Sequence, residues 1–454
     1  MPRRLLALLA ALASPLVLPA AAQGWPTTPP TLSAPGANAA SPVTDVGPGG
    51  DAAFAWLRQD ADGDWRVQLR VRRGSTGDLG ATQTLSMAGR DATAPAVAVD
   101  GAGRAIVVWG QHDGATGDYI VLARVRDVDG TLSTFRFLSA GVGAGAATRA
   151  PAPEVAVGPS GDAVVVWQAS FAGTYRVVAR TITAAGSASA EWQSMSRDGV
   201  ADGPLALAVD GDGTAVVAWT RADGTDTRVE ARTRSVDGAL GALRVLTPQG
   251  QEASTPAVAI SPDGHAVVAW ARENADYTSL HARFLTLVGG GSTLGPARRI
   301  SLNTHDVDDD ATTGWGEVGI SDSGRAVFAW QEDKFCCGTE VVLRDMEAAG
   351  DLGPTDYART TTTARQPHVA VAPTGAAVVS FTQLDETFWE RIVVRTRSVS
   401  GLLGPAQVVS AFGRDAFDND LAMNDAGLAA VTWLREDGTS EPTCCDRVQY
   451  AVGP

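Results

Sequence analysis

The chain has 454 residues, 44% hydrophobic and 19% charged, with 50 glycines and 24 prolines. This is a globular composition rich in turn formers, which favours many short strands over long helices. The net charge of −15 argues against nucleic acid or an anionic membrane as a partner, because both are polyanions that an acidic surface repels.

Residues 1–22 read as a secretory signal peptide, with Arg3 and Arg4 ahead of an apolar run that closes on Ala20, Ala21 and Ala22. No cysteine follows to accept a lipid, and no later stretch approaches the ~18 apolar residues of a membrane-spanning helix. A secreted monomer, periplasmic or extracellular and without membrane insertion, is expected in an oxidising space.

From residue 42 onward the sequence repeats. An aromatic residue closes an apolar run at Trp56, Trp109, Trp167, Trp219, Trp270, Trp330, Phe381 and Trp433, and six positions before each stands a glycine, from Gly50 to Gly427. Fourteen positions before the aromatic, proline recurs at Pro42, Pro95, Pro153, Pro256 and Pro367, with Leu205, Gly316 and Asn419 as departures. Repeats of about 42–93, 94–151, 152–203, 204–254, 255–314, 315–365, 366–417 and 418–454 follow.

Each unit is expected to hold four strands. The first follows the proline, the glycine makes a tight turn, and the second is an apolar run such as Ala105 to Trp109. The third ends in arginine at Arg70, Arg124, Arg180, Arg232, Arg283, Arg344 and Arg395, with Ala451 in the last copy. The fourth ends near "LS" or "LT", as at Leu85-Ser86 and Leu246-Thr247.

Four-stranded antiparallel units at this period predict an all-β fold, an eight-bladed β-propeller. The second strands fit, since a strand packed on both faces reads as a continuous apolar run. The eighth unit lacks a fourth strand, whereas segment 23–41 carries Leu32-Ser33 ten residues before Pro42, as Leu85-Ser86 stands before Pro95. That segment is therefore expected to complete the last blade and close the ring, removing free strand edges.

The turn Ser261-Pro262-Asp263-Gly264 between a proline-led strand and an apolar strand resembles the repeat of TolB-type propellers. The stretch Ala231 to Gly241 is similar to repeats of secreted propeller-like proteins of high-GC bacteria with no assigned activity. The resemblance implies protein–protein contacts and brings no catalytic residue with it.

Chemistry is expected on the face that carries the second-to-third-strand loops and the connections between blades. Asp60, Asp113, Asp223, Glu273, Asp333, Asp385 and Asp437 follow the aromatic there, and Asp91, Glu252 and Asp415 enter from the connections. They are either hairpin turn chemistry or an acidic rim that attracts basic ligands. No cofactor is expected unless it is calcium, since Asp306, Asp308 and Asp310 alternate, as do Asp60, Asp62 and Asp64, offering oxygen ligands to a hard cation. Cys336-Cys337 and Cys444-Cys445 occupy nearly equivalent positions in blades six and eight; two vicinal disulfides are favoured over a bridge across that arc. Phe335, Phe388 and Trp389 are aromatics that no repeat position explains, either a ligand-stacking patch with Asp333, Asp385 and Asp437 or filling between blades. The five histidines show no metal-ligand spacing, and no nucleophile elbow or phosphate loop appears.

These features predict a non-enzymatic binding propeller that engages a protein, peptide or glycan on its acidic loop face. The alternative is a carbohydrate-active enzyme, a polysaccharide lyase or glycoside hydrolase, which a carboxylate pair at the bottom of a central pocket would favour.

Overall fold

The computed structural model describes residues 24–454 apart from 115–116, 141–149, 172, 201–202, 225, 275–276, 289–290, 303–305, 308–314, 335–337, 360–362 and 438–444. The expected leader at 1–22 lies outside the described residues, among which there is no helix.

Eight antiparallel sheets follow one another along the chain. Their first strands are Ala39–Val46, Ala92–Val99, Glu154–Val157, Ala206–Val209, Ala253–Ile260, Gly316–Ile320, Ala364–Val371 and Ala416–Met423. Each touches the first strands of the blades before and after it, and Ala416–Met423 meets Ala39–Val46, so these strands form a closed circle around an axis. The protein is an eight-bladed β-propeller.

The repeat glycines do what their spacing predicts. All eight have φ between +78° and +89°, the left-handed region that costs glycine little. In blade five the amide of Gly264 donates to Ser261 O at 2.9 Å and that of Ser261 to His265 O at 2.8 Å, a tight turn closed by a left-handed residue. The repeat aromatics are at most 2% exposed. Each sits in an apolar cluster shared by two neighbouring blades, and there is one such cluster at every blade interface. In the second strand of blade two, Ala105, Val107 and Trp109 pack toward blade one, whereas Ile106 and Val108 pack toward blade three. Alternate residues of one strand thus serve two interfaces, so the run cannot alternate with polar residues.

Three boundaries differ from expectation. In blades one, two, five and seven the first strand starts before the proline: Ala39–Val46, for one, shifts register between Ala40 and Val43. Proline has no N–H for the ladder, and the residue ahead of this position turns left-handed at Ser41, Ala94, Thr255, Gln366 and Asp418, giving a bulge. The third strand runs past its arginine, as in Trp65–Arg72. The fourth strand is short, Gln83–Thr84 in blade one, because after the leucine, whose amide still donates to the third strand as Leu85 N does to Val67 O at 2.8 Å, the serine leaves the ladder. The serine hydroxyl instead accepts the third-strand amide: Ser86 Oγ from Val67 at 2.9 Å, Ser139 from Val121 at 3.0 Å, Ser196 from Val177 at 2.8 Å and Ser410 from Ile392 at 3.0 Å.

The last blade is completed from the other end of the chain. Thr31 bridges to Gln449, Leu32 N donates to Val448 O at 2.8 Å, and Ser33 Oγ accepts from Val448 N at 3.0 Å. The N-terminal segment therefore repeats the hydroxyl cap of an ordinary fourth strand, and Leu32 is 2% exposed.

Candidate functional site

Inside the circle of first strands lies a cavity of about 620 Å³, within the size range of small-ligand sites. Its walls come from the first halves of these strands, the end fed by the connections between blades, so it belongs to the face that bears the hairpin loops. The residue after the repeat proline faces the axis: Val43, Glu154, Ala206, Ala257, Glu317, His368 and Asp420 all line the cavity. The next residue along the strand points the other way, into the apolar clusters between blades, as Val97, Val318, Val369 and Leu421 do. Four of eight axis-facing positions are therefore ionisable, contributed by blades three, six, seven and eight.

Three of the four meet. His368 Nδ1 lies 3.0 Å from Glu317 Oε1 and 3.9 Å from Asp420 Oδ1, and one ligand atom from each residue falls within 4.8 Å of the others. The second oxygen of each carboxylate is fixed by the next blade. Glu317 Oε2 accepts the amide of Val369 at 3.1 Å, and Asp420 Oδ2 that of Thr44 at 2.6 Å. First strands have one hydrogen-bonding edge without a neighbouring strand, and these carboxylates satisfy its amides. Asp45, two positions further along, does the same for Val99 N at 2.6 Å.

The fourth, Glu154, stands apart. Among the described residues no hydrogen bond engages its carboxylate, and burial together with the charges of Asp420 and Glu317 pushes it up to about 8. Burial also raises Asp420 to about 6, with Glu317 adding and His368 opposing. For His368 burial works against the imidazolium, but the charges of Glu317 and Asp420 and the hydrogen bond it donates to Glu317 outweigh it and raise it to about 9. The cavity thus presents carboxyl groups and an imidazole that between them both donate and accept hydrogen bonds.

The residues singled out on the loops lie elsewhere, and none of the described ones lines this cavity. Asp385 closes its own hairpin: burial acts upward, but the hydroxyl of Thr387, the amide of Trp389 and the guanidinium of Arg391 hold it at about 2. Asp60 likewise accepts the amides of Asp62 and Asp64, each at 3.1 Å. Asp91, Asp306 and Asp415 cap the first amides of third strands, at Trp65, Thr278 and Glu390. Asp437 is 3.9 Å from Arg447, and Asp333 is exposed at the end of its strand, opposite Asp306. Phe388 is 79% exposed and Trp389 half-buried. Phe335, Cys336, Cys337, Cys444, Asp308 and Asp310 lie outside the described residues. Cys445 is disulfide-bonded, so its partner also lies outside them.

The expectation that the histidines stand apart from any ligand grouping is corrected for His368. Its partners are 51 and 52 residues away in sequence, and only the closed circle brings them together. The signal was available: aligned on the proline, the following position reads Val43, Ala96, Glu154, Ala206, Ala257, Glu317, His368 and Asp420, half of it polar on an otherwise apolar strand.

No family model and no curated protein matches the chain, so the TolB-type resemblance rests on the SPDG turn alone. Among solved structures, a puromycin hydrolase S511A mutant complexed with PGG is similar with a TM-score of 0.52 at 17% identity, over 90% of this chain and 62% of that one. The chain thus spans less than two thirds of that protein, and the likeness is one of fold. The β-propeller domain of the Trilobed protease from Pyrococcus furiosus, described as having an open velcro topology, aligns over 83% of this chain and 99% of its own, with TM-score 0.47 and 11% identity. The polysaccharide lyase Uly1 aligns over 81% and 90%, with TM-score 0.46 and 9% identity.

Proposed function

We propose that the protein is a binding propeller whose ligand enters the axial cavity, and that the ligand is a sugar-sized, polyhydroxylated unit of a glycan. The observation that carries this reading is the convergence of Glu154, Glu317, His368 and Asp420 from four blades on one cavity of about 620 Å³, with no hydrogen bond to the Glu154 carboxyl among the described residues. Glu154, whose carboxyl burial and neighbouring charges push up to about 8, can donate to one hydroxyl while its neighbours accept from another, and Pro42, Pro204, Pro256 and Pro367 give the wall its apolar part. Export, expected from the leader, would give the cavity access to envelope or extracellular glycans. Asp60 and Asp385 on the rim are spent on turn amides and arginines, which favours the axis over the loops.

A glycan and peptide array followed by calorimetry, run with chelator present, tests this. Glu154→Gln is expected to weaken glycan binding about tenfold or more, and Asp385→Asn to leave it unchanged; the reverse pattern, or binding of peptides alone, refutes the reading. Cleavage of the bound glycan is a second reading, favoured by the protonated Glu154 in a cavity that also holds ionised carboxylates, an arrangement suited to a general acid. Release of reducing or unsaturated ends by the wild type but not by Glu154→Gln would establish it.

A further inference from the structure

We infer that Glu317, His368 and Asp420 form a binding site for one divalent transition-metal ion. A four-coordinate ion held at roughly 2.0–2.2 Å by nitrogen and oxygen sets its ligands about 3.4 Å apart. The Nδ1–Oε1 and Nδ1–Oδ1 separations of 3.0 and 3.9 Å bracket that value, and all three ligand atoms lie within 4.8 Å of one another. Shifts of less than an ångström would bring them onto one ion.

The carboxylates are oriented for this by the backbone. Val369 N holds Glu317 Oε2 and Thr44 N holds Asp420 Oδ2, so that Oε1 and Oδ1 turn toward the imidazole. Hydrogen bonds of this kind to the outer oxygen fix ligand direction and tune metal sites. The three ligands sit at one repeat position on three consecutive blades, anchored in strands instead of loops, and rigid elements hold a coordination geometry better. Glu154 lines the same cavity, onto which the remaining coordination position opens for water, a hydroxyl or a carboxylate. One imidazole with two carboxylates suits Zn²⁺ or Mn²⁺ and supplies too few oxygens for calcium, which takes six to eight.

This inference goes beyond glycan binding and does not depend on it. The test is a calorimetric titration of the metal-free full chain with Zn²⁺, Mn²⁺ and Ca²⁺. One Zn²⁺ per chain is expected, with Ca²⁺ at least about 100-fold weaker. His368→Gln is expected to weaken Zn²⁺ binding by a similar factor, whereas Asp385→Asn, on a rim hairpin that does not line the cavity, leaves it within a few fold. Equal affinity in wild type and His368→Gln, or Ca²⁺ binding as tight as Zn²⁺, overturns the site. Should His368→Gln fail to fold, the imidazole resonances of the wild type decide. A Zn²⁺-induced shift of His368 supports the site, and a shift confined to other histidines overturns it. Glycan affinity measured in chelator reads out the cavity proposal separately, so either can fail alone.

Discussion

Arg70 of the first blade reaches the carbonyl of Leu32, Nη1 to O at 3.3 Å. Its counterparts do the same between ordinary blades: Arg344 to Ile300 O at 2.8 Å, Arg395 to Ala358 O at 2.9 Å and Arg283 to Leu246 O at 3.0 Å. Several also hold their own blade's turn, as Arg70 Nε holds Gly80 O at 2.8 Å. The repeat arginine is thus a stitch between blades, and the N-terminal segment receives it like any fourth strand.

Closure should therefore be costly to weaken. Leu32→Ala removes a side chain buried between blades eight and one and is expected to destabilise by about 2–4 kcal/mol. Ser33→Ala strips the cap from the Val448 amide and is expected to cost about 1 kcal/mol. Chemical denaturation checks both, with exposed Leu402→Ala, 74% exposed, as the control that should cost well under 1 kcal/mol. Equal effects at Leu32 and Leu402 would contradict a load on the closing strand.

Gly316 stands where most copies carry proline, one residue before Glu317. Its φ is +141°, and an added Cβ would come 2.1 Å from Ala329 O. Gly316→Ala is expected to cost at least about 2 kcal/mol and to pull Glu317 off the axis. Denaturation together with Zn²⁺ titration reads both effects, and a variant of unchanged stability would contradict the strain.

Two buried groups should respond to pH with opposite sign. Burial raises Asp45 to about 6, against the hydrogen bonds of Val99 and Val46. The native state then holds this proton more tightly than the unfolded chain, whose carboxyl titrates near ~4, so the contribution is present below pH ~4 and lost as pH rises through about 6. Asp45→Asn keeps an acceptor for the Val99 amide and should gain on the wild type above pH 6 by about 1–2 kcal/mol, the gain vanishing toward pH 4. His281 behaves the other way. Burial, with Arg272 and Arg299 adding, lowers it to about 4, below the unfolded value of ~6.5. Stability is lost as pH falls from ~6.5 to about 4, and His281→Gln should lose less over that interval, on top of a constant cost for its stacking on Trp270. Urea midpoints from pH 4 to 8 separate the two slopes; parallel curves would refute both assignments.

On the rim, Asp385→Asn should loosen the hairpin that carries Phe388 and Trp389 without touching the cavity. Amide exchange at Thr387 and Trp389 is expected to speed up while global stability falls by about 1 kcal/mol or less. Loss of cavity binding in this variant would show the hairpin to be part of the site.

The ring was legible in the sequence because each blade makes the same demands on the same positions. A left-handed turn admits glycine, as at Gly264, and a strand buried on two faces admits only apolar residues and its closing aromatic, as at Trp270. Strand ends were less legible, because the "LS" serines leave the ladder and act through their hydroxyls. The axial cluster was hidden for a different reason. Glu317, His368 and Asp420 are separated by whole blades, so no local spacing announces them, and their position in the first strand invites reading them as occasional polar substitutions. The acidic hairpins drew attention because their carboxylates are contiguous in sequence, yet Asp60 and Asp385 are engaged by their own turns.

The bridge between Thr31 and Gln449 also sets an order of events. These partners are separated by 418 positions, so during synthesis Leu32 and Ser33 wait for roughly 400 further residues before the strand they pair with exists. The other blade interfaces can assemble in sequence as the chain lengthens, but the eighth cannot. Until it does, the nascent protein is an open arc with an unsatisfied edge at each end, and its most vulnerable interval for aggregation or proteolysis falls just before Asp446–Gly453 docks.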